Sequence, residues 1–380
     1  MNKSKVCVIT GSRAEYGLFF PIMKKIQASD YLELKVVATT MHFAEEFGST
    51  YRQIEEDGFK IDEKIENLLS SDSKSSVVKS SGLAMILLSD TFSRIKPDII
   101  LLLGDRSETH AAASAAILMN IPIAHIHGGE RTLGIDEYNR HALTKISNIH
   151  FAVTKKSQKR IIKMGEDPKK VIFTGSPSID DIINGNITNK QKLEKKYKIK
   201  FTGNEILLIQ HPITTEFQKS TNQITNTLDA IIRLKKNTIA IEPNSDAGNK
   251  AIFKNLKIYS KKNKFIHVYS SIPRCDYLGF IKNCGVLVGN SSSGLIEGGY
   301  FNTPVINIGS RQSGREKGGN VFDVNNGSTN LIFNTIQKAM NSKKKFKKNQ
   351  IYGNGNSSKK IVKFLENVKL DNLMHKQICY

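Results

Sequence analysis

Two apolar runs, residues 99–103 (IILLL) and 121–126 (IPIAHI), flank an alanine-rich stretch of helical character, and nothing else in the chain constrains its fold as strongly. A short apolar run bounded by turn residues reads as a buried strand, and two such runs joined by a helix form a parallel, right-handed unit. Adjacent parallel strands end at one edge of a sheet, the edge where open α/β folds bind and convert ligands. The first run ends in Gly104-Asp105-Arg106 and the second in His127-Gly128-Gly129-Glu130, so the two turns become neighbours. Residues 104–141 thereby gather Asp105, Glu108, His125, His127, Glu130, Asp136 and Glu137, a dense set of groups able to exchange protons.

The same alternation extends in both directions. Residues 5–10 and 32–39 read as strands around a helix over 16–27, with a further helix near 50–57 and another over 80–95. The serine-rich stretch 63–76 lacks periodicity and reads as a surface loop or a flap beside the site. A strand at 149–153, a helix over 155–164 and a strand at 171–174 complete a first doubly wound domain, residues 1–183. The polar stretch 184–189 (NGNITN) reads as a linker. Strands at 206–210, 238–241, 265–268, 286–289 and 305–308, with helices between them, define a second doubly wound domain over 190–355. Residues 356–380 supply an amphipathic helix over 357–368 and a tail, placed to fold back over the first domain. The fold class is therefore α/β, with two Rossmann-like domains.

A chain of 380 residues suits two cores, and 39% hydrophobic with 24% charged residues describes a soluble globular protein. No run of about eighteen apolar residues is present to span a membrane, and the start shows no leader pattern, so a cytoplasmic location is expected. Four scattered cysteines, without His or Cys at ligand spacing, read as free thiols, and no metal site or cofactor is expected. The net charge of +21 is uneven: residues 1–150 carry 17 basic and 19 acidic side chains, and the remainder 39 and 16. This excess is mostly lysine, including the run at 343–348, and no aromatic or arginine-rich reading module accompanies it. It reads as a solvated surface, with neither nucleic acid nor a membrane as partner.

Two further turns have the chemistry of anion sites. The first strand ends in GSRAEYG, residues 11–17, which is neither a Walker loop nor G-x-G-x-x-G. A glycine turn before a helix still aims backbone N–H groups at an anion, and Arg13 can clamp a diphosphate with paired donors. In the second domain VGNSSSGLIE, residues 288–297, sets Ser291, Ser292 and Ser293 between a strand end and a helix. Hydroxyls and helix N-terminal amides together cradle phosphate without a metal, whereas helix capping alone needs one serine. Glu297, one turn into that helix, suits a ribose diol, and Arg311 and Arg315 follow the next strand. His211, beside Pro212 and ahead of Glu216, and likewise Asn244 and His42, occupy strand-end positions.

Taken in order, GSRAEYG, GDR, HIHGGE, IDEYNRHALTK, HPITTE, GNSSSGLIE and TPVINIGSRQSGR make the chain resemble the hydrolysing UDP-N-acetylglucosamine 2-epimerases over nearly its whole length. The resemblance implies two Rossmann-like domains facing a central cleft, as in B-type glycosyltransferases, with no metal and no nicotinamide. It implies a UDP-sugar substrate held by Ser291, Ser292, Glu297 and Arg311, helped by Arg13, Arg106 and His211. Asp105, an acid of the HIHGGE turn and Asp136 would then do the chemistry, and a homo-oligomer, dimer or tetramer, is expected. The implied reaction converts UDP-GlcNAc and water to N-acetylmannosamine and UDP. UDP departs first, the C2 proton is lost to give a glycal, and water adds back with inverted C2.

Two departures from the family pattern locate this chain within it. Many relatives carry H-x-Glu where His125-Ile-His127 stands, so the proton transfer credited to that glutamate falls to His127 or to Glu130. Leu18 stands where the non-hydrolysing branch has a lysine, which favours the hydrolysing branch. A close variant of the reaction would use a UDP-2,4-diacetamido-2,4,6-trideoxy sugar of legionaminic acid synthesis, a reading that the segment IDEKIENLLSSD supports. More remote readings are a glycosyltransferase, which would need an acceptor, and a basic module for anionic surfaces.

Overall fold

The computed structural model describes residues 3–69, 71, 73–325, 327–342, 346, 349–370 and 373–379. It divides into two units: unit 1 is Met1–Glu130, Ile135–Ile183 and Tyr352–Tyr380, and unit 2 is Arg131–Gly134 and Asn184–Ile351. Of the lysine run at 343–348, all but Phe346 lies outside the described residues.

Unit 1 is built on seven strands: β1 (Ser4–Thr10), β2 (Leu32–Thr39), β3 (Glu63–Ile65), β4 (Ile99–Leu103), β5 (Ile123–Ile126), β6 (Ile149–Ala152) and β7 (Val171–Phe173). All pair in parallel, in the order β3-β2-β1-β4-β5-β6-β7. Its helices are α1 (Arg13–Gln27), α2 (Tyr51–Glu56), α3 (Lys74–Ile95), α4 (Ser107–Leu118), α5 (Ile135–Ile146), α6 (Lys155–Lys163) and α7 (Pro177–Ile183). The alanines of α4, Ala111 to Ala113 with Ala115 and Ala116, bury against Ile100, Leu102 and the Ala84 and Leu88 face of α3. Small side chains let that helix lie close to the strands whose ends carry the acids.

The stretch 63–76 departs from the loop expected of it. Its first three residues add β3 to the sheet edge, and α3 starts at Lys74 rather than near residue 80. Ser73 caps that helix, its hydroxyl accepting from the Ser76 amide at 3.2 Å, so serines that suggested a loop are a helix start.

Unit 2 runs α8 (Lys190–Tyr197), β8 (Ile206–Ile209), α9 (Ser220–Leu234), β9 (Thr238–Ile241), α10 (Asn249–Lys262), β10 (Ile266–Tyr269), α11 (Arg274–Asn283), β11 (Val286–Gly289), α12 (Ser292–Phe301), β12 (Val305–Ile308), β13 (Val321–Val324) and α13 (Thr329–Ser342). The parallel order is β10-β9-β8-β11-β12-β13, with β13 a strand beyond the five expected. Both faces are covered: Leu208, Val288 and Ile306 bury on one side, Leu207, Leu287 and Val305 on the other. Double coverage is what the near-continuous apolar runs require, since an alternating strand would put polar groups into one of those cores.

The chain then returns to unit 1. Gly353 crosses Gly175 so closely that a Cβ on Gly353 would stand 2.8 Å from the Gly175 Cα, and both glycines have positive φ, +99° and +84°. Ser357 and Ser358, the first residues of α14 (Ser357–Asn367), give their amides to the Asp180 carboxylate at 3.0 and 2.6 Å. Farther on, the Lys376 ammonium donates to the carbonyls of Thr144, Lys145 and Ser147 at the end of α5, and to Glu166 at 2.7 Å. All four cysteines are free, and among the described residues no helix is long and apolar enough to cross a membrane.

Candidate active site

The register of β4 on β5, Leu103 against Ile126, sets Asp105 and His127 at neighbouring strand ends in unit 1. Arg140, reaching down from α5, ties them together. Its side chain is almost fully buried and pairs with Asp105 through Nη2, while Nη1 donates to the His127 carbonyl at 2.7 Å and lies 3.7 Å from Glu130. The Asn139 side chain holds the Asp105 carbonyl at 3.1 Å. His127 Nδ1 sits 2.9 Å from Glu130 Oε2, and Nε2 lies 3.3 Å from the Ser176 hydroxyl. A carboxylate accepts only, so Nδ1 carries a proton toward Glu130 and leaves Nε2 facing the Ser176 hydroxyl.

His127 is held at φ +68°. A non-glycine residue there costs roughly 1–2 kcal/mol and is kept where the surroundings fix it. Here two glycines follow, and the Arg140 guanidinium fixes its carbonyl. His125, two residues back on β5, is a different kind of residue. Burial lowers its pKa to about 3, and its Nε2–H donates to the Gly104 carbonyl at 2.7 Å, so it braces the β4 turn as a neutral ring.

The remaining sequence candidates of unit 1 fall into three positions. Arg106 lies beside Asp105, its Nε 2.5 Å from Glu108, and Arg13 opens α1. Asp136 is half-buried in the first turn of α5, four residues before Arg140 and so on the same helix face. His42 is fully buried and enclosed by two threonines, with Thr10 at 3.1 Å from Nε2 and Thr50 at 2.8 Å from Nδ1. Burial takes its pKa to about 3, and in this arrangement it supports the β1 turn rather than presenting a nitrogen.

Unit 2 assembles a second constellation at the ends of β8 and β11. Asn290 bonds both backbone groups of His211, accepting from its amide at 2.7 Å and donating to its carbonyl at 2.9 Å. The Asn244 amide reaches His211 Nδ1 at 3.5 Å, and Arg311 and Gln312 both donate to the Asn290 carbonyl. Ser291 occupies the N-cap of α12, yet its hydroxyl makes no cap bond. It turns to Ser293 at 2.8 Å, and Ser293 in turn meets the Tyr277 hydroxyl. Ser292 opens the helix beside them. Glu297 pairs through Oε1 with Arg274 at 2.8 Å, while its buried Oε2 has no hydrogen-bond partner among the described residues. Burial, and then the Glu297 charge, push the Tyr277 phenol up, so it stays protonated beside the serines.

Arg140, Ser176, Arg274 and Tyr277 join these networks although the sequence reading singled out none of them. The motif string offered one signal: Arg140 stands four residues after Asp136, inside IDEYNRHALTK. The family model for UDP-N-acetylglucosamine 2-epimerase matches residues 24–366. The chain belongs to that family. Among epimerase relatives, the GDP/UDP-N,N'-diacetylbacillosamine 2-epimerase (hydrolyzing) of Campylobacter jejuni is 37% identical, covering 99% of each chain. The UDP-N,N'-diacetylbacillosamine 2-epimerase (hydrolyzing) of Legionella pneumophila is 34% identical over 98% of this chain and 97% of its own. The fold matches that of the UDP-GlcNAc 2-epimerase of Neisseria meningitidis, solved with UDP-GlcNAc, at a TM-score of 0.79 and 22% identity over 95% and 99% of the two chains.

Proposed function

We propose that this epimerase-family chain is a hydrolysing sugar-nucleotide 2-epimerase whose chemistry is done at the β4 and β5 turns, and whose UDP is held by the β8 and β11 turns. The observation that carries this reading is the Asp105–Arg140–Glu130–His127 network, buried in all but Asp105. It supplies what the reaction needs: the C1–O bond breaks with its electron pair going to UDP, a base removes the C2 proton, and water then adds at C1 with a proton returned to the opposite face of C2. Asp105 retains 17% side-chain exposure against 2% for Glu130, so Asp105 and the half-buried Asp136 face the sugar. His127 and Glu130 stand behind them as a relay, Glu130 orienting the ring and Nε2 exchanging a proton through Ser176. Ser291, Ser292 and Ser293 with the α12 amides, and Arg311 and His211, are the diphosphate ligands proposed from unit 2, with Glu297 for the ribose diol; Arg13 and Arg106 are the diphosphate ligands proposed from unit 1.

Two hydrolysing relatives that align with this chain from end to end carry names for diacetylbacillosamine nucleotides. On that ground the substrate proposed is the UDP-2,4-diacetamido-2,4,6-trideoxy sugar, with UDP-GlcNAc as the second reading. Incubation of each nucleotide sugar alone in D₂O tests this. The expected result is free 2-epimer bearing deuterium at C2 and release of UDP, with kcat/KM at least tenfold higher for the diacetamido sugar, about 1.4 kcal/mol in transition-state binding. The reverse ratio assigns UDP-GlcNAc. UDP release only after an acceptor is added overturns the epimerase in favour of a glycosyltransferase.

A further inference from the structure

Behind the GSRAEYG turn lie two carboxylates that the mechanism above does not use. Glu15 and Glu108 are each 6% exposed. Both converge on Gly11: its amide donates to Glu15 Oε2 at 2.8 Å, and a Cβ placed on it would meet Glu108 Cγ and Oε1 at 2.7 Å. Glu15 also accepts from Ser12 at 3.4 Å and Thr109 at 3.3 Å, and Glu108 from Ser107 at 3.2 Å. The charged groups that act most strongly on Glu15 are Glu108 and Arg106, both at the start of α4. Arg106 bonds Glu108 at 2.5 Å. Two buried acids therefore converge on one glycine with a single guanidinium bonded to Glu108 beside them, and like charges buried at one turn oppose each other's ionisation.

We propose that Glu15 and Glu108 form a proton-storing pair, so that a nucleoside diphosphate arriving at Arg13 and Arg106 is bound together with a proton. This rests on the diphosphate reading of the proposed function. The diphosphate adds negative charge at the turn and draws the Arg106 charge away from Glu108. Both changes favour a neutral carboxyl, and the proton comes from solvent. The free pair is poised for this: burial, and next the Glu108 charge, raise Glu15 to about 7, against the opposing pull of Arg106, the Gly11 amide and Thr109. Glu15 and Glu108 are positioning residues here, acting on the ligand through the Gly11 turn and Arg106.

Calorimetric titration of the full chain with UDP, in two buffers of different ionisation enthalpy at about pH 8, counts the protons. At that pH the UDP phosphate, with a second pKa of about 6, is already ionised. The expected result is uptake of roughly half to one proton per UDP, with Kd weakening about 3- to 10-fold from pH 7 to 8.5. E15Q should take up almost none and bind UDP with a flat pH profile; E108Q removes the pair from the other side and answers the question should E15Q fail to fold. UDP binding by wild type without proton uptake, or undiminished uptake in either folded variant, overturns the proton pair and leaves the epimerase reading standing. Absence of UDP binding at any pH overturns both.

Discussion

Arg140 carries three functions in one side chain: it neutralises Asp105, fixes the strained His127 carbonyl and approaches Glu130. R140M should lower kcat about a hundredfold, because a reacting group displaced by an ångström costs that much, while UDP affinity stays within about twofold. D105N provides the comparison, with kcat reduced ~10²–10⁴-fold and UDP binding kept; steady-state kinetics and UDP titration read both. Unchanged turnover in D105N would refute the assignment of Asp105. The acids were legible because their number in one connection is abnormal for a folded surface. Arg140 was not, since an arginine in an amphipathic helix has the same pattern whether its face meets solvent or a buried carboxylate. Arg274 and Tyr277 were hidden for the same reason, on a helix whose residues look like ordinary cover for a sheet.

The helix that presents Asp136 and Arg140 is pinned at its far end. Lys376 satisfies three carbonyls at the terminus of α5, groups no residue within the helix can reach, and its charge meets Glu166. K376M should reduce unfolding free energy by about 2 kcal/mol, measured by denaturant titration. Glu166 adds a pH signature. Burial opposes its ionisation, but bonds from His150, Lys145 and Lys376 outweigh it and hold the carboxyl at about 2, below its ordinary 4.5. A depressed acid stabilises the fold above its unfolded pKa, and that stability is lost as pH falls from about 4.5 through 2. The pH dependence of unfolding should therefore flatten across that window in E166Q; an unaltered slope would exclude the cluster as its source. Elements were legible where apolar runs were long. The edge strands β3, with three residues, and β13, whose VFDV mixes charge into the run, fell below what pattern can separate from loop.

At the scale of the whole molecule, each unit has the strand order of a doubly wound sheet, and each puts its candidate residues at strand ends and helix starts. That placement was readable in the sequence because glycine, histidine and acid follow apolar runs so regularly; the C-terminal segment was expected to fold back over the first domain, but the side chains that hold it, such as Asp180 and Glu166, were not readable, since those contacts join residues hundreds apart. The crossing of Gly353 over Gly175 makes that return testable. G353A adds a methyl where backbone already stands and forces an L-residue to positive φ, a change worth at least about 2 kcal/mol, and thermal unfolding should show the loss. The return of residues 352–379 also orders events during synthesis. Unit 2 is complete in sequence once residue 351 has emerged, whereas the sheet bearing Asp105 and His127 still lacks α14 and the Lys376 clamp. A chain cut after residue 351 would thus retain every element of unit 2, while unit 1, the half proposed to exchange protons, would lack the segment that closes it.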